Sequence, residues 1–172
     1  MTAVRFGTDG IRGIAGETLT PDIAAALGSA LMEQHPRGLV LLGRDTRPSG
    51  AALSDALAAA IEAGGGTAVD IGVIPTPGLA LLVAEEASAA CGVVVTASHN
   101  PVRYNGLKVL GRDGRKIPDH EERELEALME RRIAAGVRVG SPAPADPATA
   151  RRLRERYAGV LATLAQIGRA HV

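Results

Sequence analysis

Three observations point this chain to an α/β fold with a mostly parallel, doubly wound sheet flanked by helices and an added edge hairpin. Short apolar runs, Leu39–Leu42, Ala68–Ile71 and Val93–Val95, alternate with segments of helical length. Glycine and proline clusters such as Gly64-Gly65-Gly66 and Pro75-Thr76-Pro77 separate those units. The 172-residue chain is 46% hydrophobic yet has one Phe, two Tyr and no Trp, so its core is built from Ala, Val, Leu and Ile.

The elements follow in order. Thr20 caps a first helix with Pro21 at its first position, and Ile23, Leu27, Ala30 and Leu31 line one face as far as about Glu33. Leu39–Leu42 is a buried strand, and Ser49 opens an alanine-rich helix that runs to Ala63. Ala68–Ile71 is the next strand, Pro75-Thr76-Pro77 breaks the chain, and Gly78 to Glu86 is helical. Val93–Val95 is the third strong strand. Asn105-Gly106 reads as a tight turn because both residue types tolerate positive φ. Leu107–Leu110 and the turn Arg112-Asp113-Gly114-Arg115 form the edge hairpin. Asp119 caps a charged helix to about Arg131 whose polar side is a solvated face. Residues 134–147 are rich in Gly, Ala and Pro and read as a linker. In the last helix, roughly Ala148 to Ala165, Leu153, Tyr157, Val160, Leu161 and Leu164 form a stripe that wants a partner.

Charge excludes some functions. Nineteen basic and nineteen acidic residues cancel and the arginines are dispersed, which leaves no footprint for nucleic acid or an anionic membrane. The single Cys91 lies within an apolar run and reads as a small buried hydrophobe. No signal-peptide pattern and no membrane-length apolar run is present, so a cytoplasmic location is expected.

The polar clusters carry the chemistry. Thr96-Ala97-Ser98-His99-Asn100-Pro101 follows the run Cys91–Val95 and puts a serine hydroxyl where a buried strand emerges, the end at which open α/β sheets bind ligands. The same residues also make an ordinary loop, since Asn-Pro starts turns. Lys108 follows at short range, either a solvated lysine or an ammonium aimed back at the serine. Phe6-Gly7-Thr8-Asp9-Gly10-Ile11-Arg12-Gly13 is a glycine-punctuated loop whose backbone can approach an anion and whose Arg12 can fork a phosphate. It lacks the dinucleotide-binding spacing. In Gly43-Arg44-Asp45-Thr46-Arg47-Pro48-Ser49-Gly50, Arg44 and Asp45 can pair with each other and Ser49 can cap the next helix.

Phe6–Gly13, Gly43–Gly50, Gly72-Val73-Ile74-Pro75-Thr76-Pro77, Thr96–Pro101 and Asn105–Lys108 occur in the order found in the α-D-phosphohexomutase superfamily. The chain resembles that family from about Arg5 through the Tyr157 helix, and its first motif resembles the glucosamine-phosphate branch. The resemblance implies that Ser98 carries a phosphoryl group between positions of a sugar phosphate through a bisphosphate intermediate. It also implies Ser98, Lys108, Arg12 and His99 as catalytic residues, with Thr8, Arg12, Arg44 and Asn100 binding phosphate and substrate. Mg2+ is the implied cofactor, held by the Ser98 phosphate and by ligands outside these residues. Two alternatives stay open: a mutase of neutral hexose phosphates, and a non-catalytic binding module.

On that resemblance, residues 1–140 are expected to be the first phosphohexomutase domain. Residues 141–166 are expected to be a linker and a helix leading to a second domain of the same chain. Ile167-Gly168-Arg169-Ala170-His171-Val172 matches one reading frame of a common sequencing adapter, ATC GGA AGA GCA CAC GTC, and is expected to be non-biological. The chain alone is expected to lack mutase activity.

Overall fold

The computed structural model describes residues 5–137, 140 and 147–169. Its elements are β1 (Ile11–Ile14), α1 (Pro21–Gln34), β2 (Leu39–Arg44), α2 (Gly50–Ala63), β3 (Thr67–Val73), α3 (Thr76–Glu85), β4 (Ala89–Val95), β5 (Tyr104–Leu110), α4 (Asp119–Ala134) and α5 (Pro147–Arg169). Among the described residues the strands form one sheet in the order β1-β5-β4-β2-β3.

Strand β2 lies between β3 and β4 and is parallel to both, which is the doubly wound core the sequence implies. Side chains alternate between two cores, as period-2 geometry requires. Val40, Leu42, Val93, Val95 and Leu107 face α1, α2 and α4. Leu41, Val69, Ile71, Val94 and Leu110 face α3 and α5. Both sides are buried, so these strands read as continuous apolar runs.

The antiparallel edge differs in makeup from the expected hairpin. β5 pairs antiparallel with β4 on one side and with β1 on the other. The chain after the Arg112–Arg115 turn returns through a single bridge from Leu110 to Lys116. β1 comes from the glycine-punctuated segment that reads as loop, because Ile11 and Ile14 are too few apolar positions to signal a strand. Asn105-Gly106 is not a turn: both residues lie inside β5. Gly106 is required there for close approach, since a Cβ would meet the Thr96 carbonyl oxygen at 2.6 Å and that of Ile11 at 2.9 Å.

Helix ends also depart from expectation. Thr20 caps α1 as read, its hydroxyl accepting from the Ile23 amide. Ser49 occupies the N-cap position of α2 but caps nothing; its hydroxyl accepts instead from Asn105 Nδ2 at 2.9 Å. α3 starts at Thr76 with Pro77 in its first turn, where a missing amide costs no hydrogen bond, so the proline pair initiates the helix. Asp119 is the first residue of α4 rather than its cap, and Pro118 precedes it.

α5 lays its N-terminal half on the sheet. Ala150 and Leu153 are buried and Tyr157 packs beside them, while Leu161 and Leu164 are 48% and 58% exposed. Arg154 donates to the Ile71 carbonyl, and Arg152 and Arg156 pair with Glu86 and Glu85. Of the expected linker, 138–139 and 141–146 lie outside the described residues, as do Ala170, His171 and Val172.

Candidate active site

Ser98 lies three residues past the carboxyl end of β4, beside the carboxyl end of β2. It is exposed, and its φ of 55° is in the left-handed region, which L-residues other than Asn and Asp rarely visit. Its hydroxyl is 3.5 Å from His99 Nδ1, at the outer limit of a hydrogen bond. Its amide donates to Thr96 Oγ1 at 2.9 Å. An open cleft of about 390 Å³ is lined by Ser98, Asn100 and Val102 together with Asp45, Thr46 and Arg47.

The residue that orders this loop is Arg47, to which the sequence motifs assign no role. Its Nη1 donates to the carbonyls of Pro101 and Tyr104, and its Nη2 to those of Ser98 and Asn100, each at 2.8 Å. Its Nε donates to Asp45 Oδ2 at 2.9 Å. All five guanidinium protons are therefore used. Asp45 in turn accepts from the Arg47 amide and from the Thr96 hydroxyl. The only sequence signal is Asp-x-Arg, an Asp that closes a turn two residues on. Nothing in the sequence says that the carbonyls around Ser98 need these donors.

Arg12 and Lys108 come together through Asp9. Arg12 Nη2 is 3.0 Å from Asp9 Oδ2 and Lys108 Nζ is 3.5 Å from Asp9 Oδ1. Gly10, with φ 87°, lets this loop lie on β5, because a Cβ there would meet the Leu107 carbonyl oxygen at 2.3 Å. The Arg12 stem and the Thr96 carbonyl both lie against Gly106, which brings the cation loop beside the serine loop. Arg12 Nε is buried without a partner among the described residues. Arg12 and Lys108, with side chains 26% and 24% exposed on one carboxylate, together present positive charge suited to an incoming oxyanion.

The other sequence candidates divide. Asn100 is in the serine loop and gives its carbonyl to Arg47. Arg44 is turned away: it pairs with Asp70 Oδ2 at 2.7 Å rather than with Asp45, and Asp70 also accepts from the Gly72 amide. Thr8 lines a separate cavity of about 400 Å³ in which Arg5, Lys116 and Arg123 are mixed with Asp119, Glu122 and Glu126. A larger cavity, about 520 Å³, lies at the far end of the sheet beside His35, Cys91 and Arg112. Burial pushes the Cys91 thiol up to about 12.

No group of three or more His, Cys, Asp or Glu side chains among the described residues can hold a metal. The carboxylates of these loops are engaged, Asp9 by Arg12 and Lys108 and Asp45 by Arg47 and Thr96. A magnesium ion needs about six oxygen ligands. These residues do not make such a site.

Comparison with known proteins bears on this geometry. The family model described as phosphoglucomutase/phosphomannomutase, alpha/beta/alpha domain I, matches residues 3–136. A phosphoglucosamine mutase of Rubrobacter xylanophilus is 51% identical over 137 residues, covering 77% of this chain and 30% of that one. One from Thermotoga neapolitana is 50% identical over 125 residues, covering 73% and 28%. A crystal structure of a phosphoglucomutase/phosphomannomutase family protein from Burkholderia thailandensis superposes with a TM-score of 0.65 at 30% identity, covering 83% and 32%. The chain thus spans under a third of the length of the curated relatives it matches.

Proposed function

This chain belongs to the phosphoglucomutase/phosphomannomutase family, and from that premise we propose that it is the serine-bearing domain of a phosphoglucosamine mutase. The reaction exchanges glucosamine 6-phosphate and glucosamine 1-phosphate. One observation carries the reading: an exposed Ser98 hydroxyl in a fixed loop, beside a loop in which Arg12 and Lys108 share one carboxylate.

The steps follow from the chemistry of phosphoryl transfer, which needs positioning and charge neutralisation more than covalent help. Phosphorylated Ser98 donates its phosphoryl group to a free hydroxyl of the sugar monophosphate. The P–O bond to Ser98 Oγ breaks, a P–O bond to the sugar forms, and the hydroxyl proton leaves as the serine oxygen regains one. Lys108 is the group we assign to that proton, and Arg12 holds the transferring oxyanion. The bisphosphate then reorients, and its other phosphate returns to Ser98 by the reverse step. Asn100 and His99 shape the loop. Arg44 is engaged by Asp70, and Thr8 lies in the separate cavity lined by both basic and acidic side chains. Mg2+ is the proposed cofactor, and a phosphate oxygen on Ser98 is the ligand the described residues would offer it.

The test places residues 5–137 in the corresponding segment of the Rubrobacter xylanophilus relative and assays the chimera for interconversion of the two glucosamine phosphates. Activity in the chimera and its loss in Ser98→Ala are expected. A Ser98→Ala chimera as active as its parent refutes the reading. The 172-residue chain alone is expected to turn over neither sugar phosphate.

A further inference from the structure

We propose that Arg47, with Asp45 and Thr96, is the positioning device that holds Ser98 in its left-handed conformation and so aims its hydroxyl. This rests on the reading of Ser98 as the phosphoryl carrier. The bonds close a ring. Arg47 Nη2 donates to the Ser98 carbonyl, and the Ser98 amide donates to Thr96 Oγ1. The Thr96 hydroxyl donates to Asp45 Oδ2, which also accepts from Arg47 Nε. The Ser98 carbonyl is thus tied directly to the loop after β2, and its amide is tied to the same loop through Thr96 and Asp45.

Arginine is needed for its geometry rather than for its charge. Its planar fork meets four carbonyls of the segment 98–104 and one carboxylate at once. A lysine has three donors on one nitrogen and cannot serve all five acceptors. With its side chain only 9% exposed and every donor engaged, Arg47 has none left for a substrate phosphate. It acts through Ser98 rather than on the sugar. A serine with φ of 55° returns to a negative φ when the bonds opposing it are removed, and its Oγ then points elsewhere. A misplacement of about 1 Å at a reacting atom costs about 100-fold in rate.

The test compares Arg47→Lys and Arg47→Met in the chimera and in the 172-residue chain. Both variants are expected to lose about 100-fold in kcat with KM for the sugar phosphate changed by less than about threefold. In the chain alone, the Ser98 Cα and Cβ chemical shifts and the close amide–Hα contact of a left-handed residue are expected to disappear. Should the Arg47 variants fail to fold, Thr96→Val gives the same two losses and Thr96→Ser, which keeps the hydroxyl, restores both. Arg47→Lys with parental kcat and an intact Ser98 signature overturns the proposal, as does a fall in thermal stability with kcat and signature unchanged. An inactive parent chimera refutes the phosphoryl-carrier reading instead, and the Ser98 signature in the chain alone still decides whether Arg47 fixes the loop.

Discussion

Two arginines border the serine loop and are held in opposite ways. Arg47 is nearly buried and spends every donor on backbone carbonyls and Asp45. Arg12 is more open, gives one terminal nitrogen to Asp9, and leaves Nε without a partner among the described residues. Asp9 also holds Lys108 and is itself half exposed, so its hold on the two cations is loose and screened by solvent. The contrast separates two tasks. On the proposed reading, the Ser98 hydroxyl is fixed before any ligand arrives, which keeps the orientation cost out of the reaction. The cations are parked on a carboxylate that an incoming phosphate can replace.

On that division, the largest effect short of removing Ser98 falls on the parked cations. Lys108→Ala in the chimera is expected to lower kcat about 100-fold or more, the usual contribution of a proton-transfer group. Arg12→Ala is expected to cost about 100-fold, the scale for deleting one donor to a transition-state oxyanion. Either variant within about threefold of its parent breaks the comparison, because it leaves those cations no catalytic task.

Next comes the packing between the two loops. Gly106→Ala drives a methyl into the Thr96 and Ile11 carbonyls and is expected to destabilise the chain by about 1–3 kcal/mol, read by chemical denaturation. An unchanged midpoint means that the loops are not tied through β5. A smaller effect of opposite sign is expected at the nucleophile. Ser98→Gly relieves about 1–2 kcal/mol of left-handed strain against about 0.5–1 kcal/mol for the added freedom of glycine. The variant is therefore expected to be slightly more stable and wholly inactive, and a clear loss of stability argues against strain at 98.

The smallest effect is at Cys91, far from both loops. Burial raises its thiol from 9.0 to about 12, so the native state disfavours the thiolate. The sign follows: this contribution to stability is full below pH 9 and is lost only as pH rises toward 12. Native chain is expected to resist thiol reagents at pH 8 and to react on unfolding. Prompt reaction of the folded chain contradicts the burial.

The sequence made the parallel core legible because Leu39–Leu42, Ala68–Ile71 and Val93–Val95 are apolar enough to declare strands buried on both faces. It also exposed Ser98, since a hydroxyl after such a run has few other places to be. β1 stayed hidden because its burial comes from pairing with β5, not from its own composition. Asn105-Gly106 misled for a related reason: its glycine serves a close approach between three strands and its Asn ties β5 to Ser49. Arg44 and Asp45 are adjacent in sequence, but successive residues point to opposite sides, so each found a partner elsewhere. The Arg47 clamp joins segments 51 or more residues apart and could be read only from the folded chain.

Whether phosphate leaves Ser98 for the sugar decides the role proposed for this serine. The direct measurement is a rapid-quench experiment on the chimera carrying radiolabelled phosphate on Ser98, mixed with glucosamine 1-phosphate. Label that moves from the serine into a glucosamine bisphosphate and then into both monophosphates is the expected result. Label that stays on Ser98 while the sugar phosphates interconvert contradicts the account.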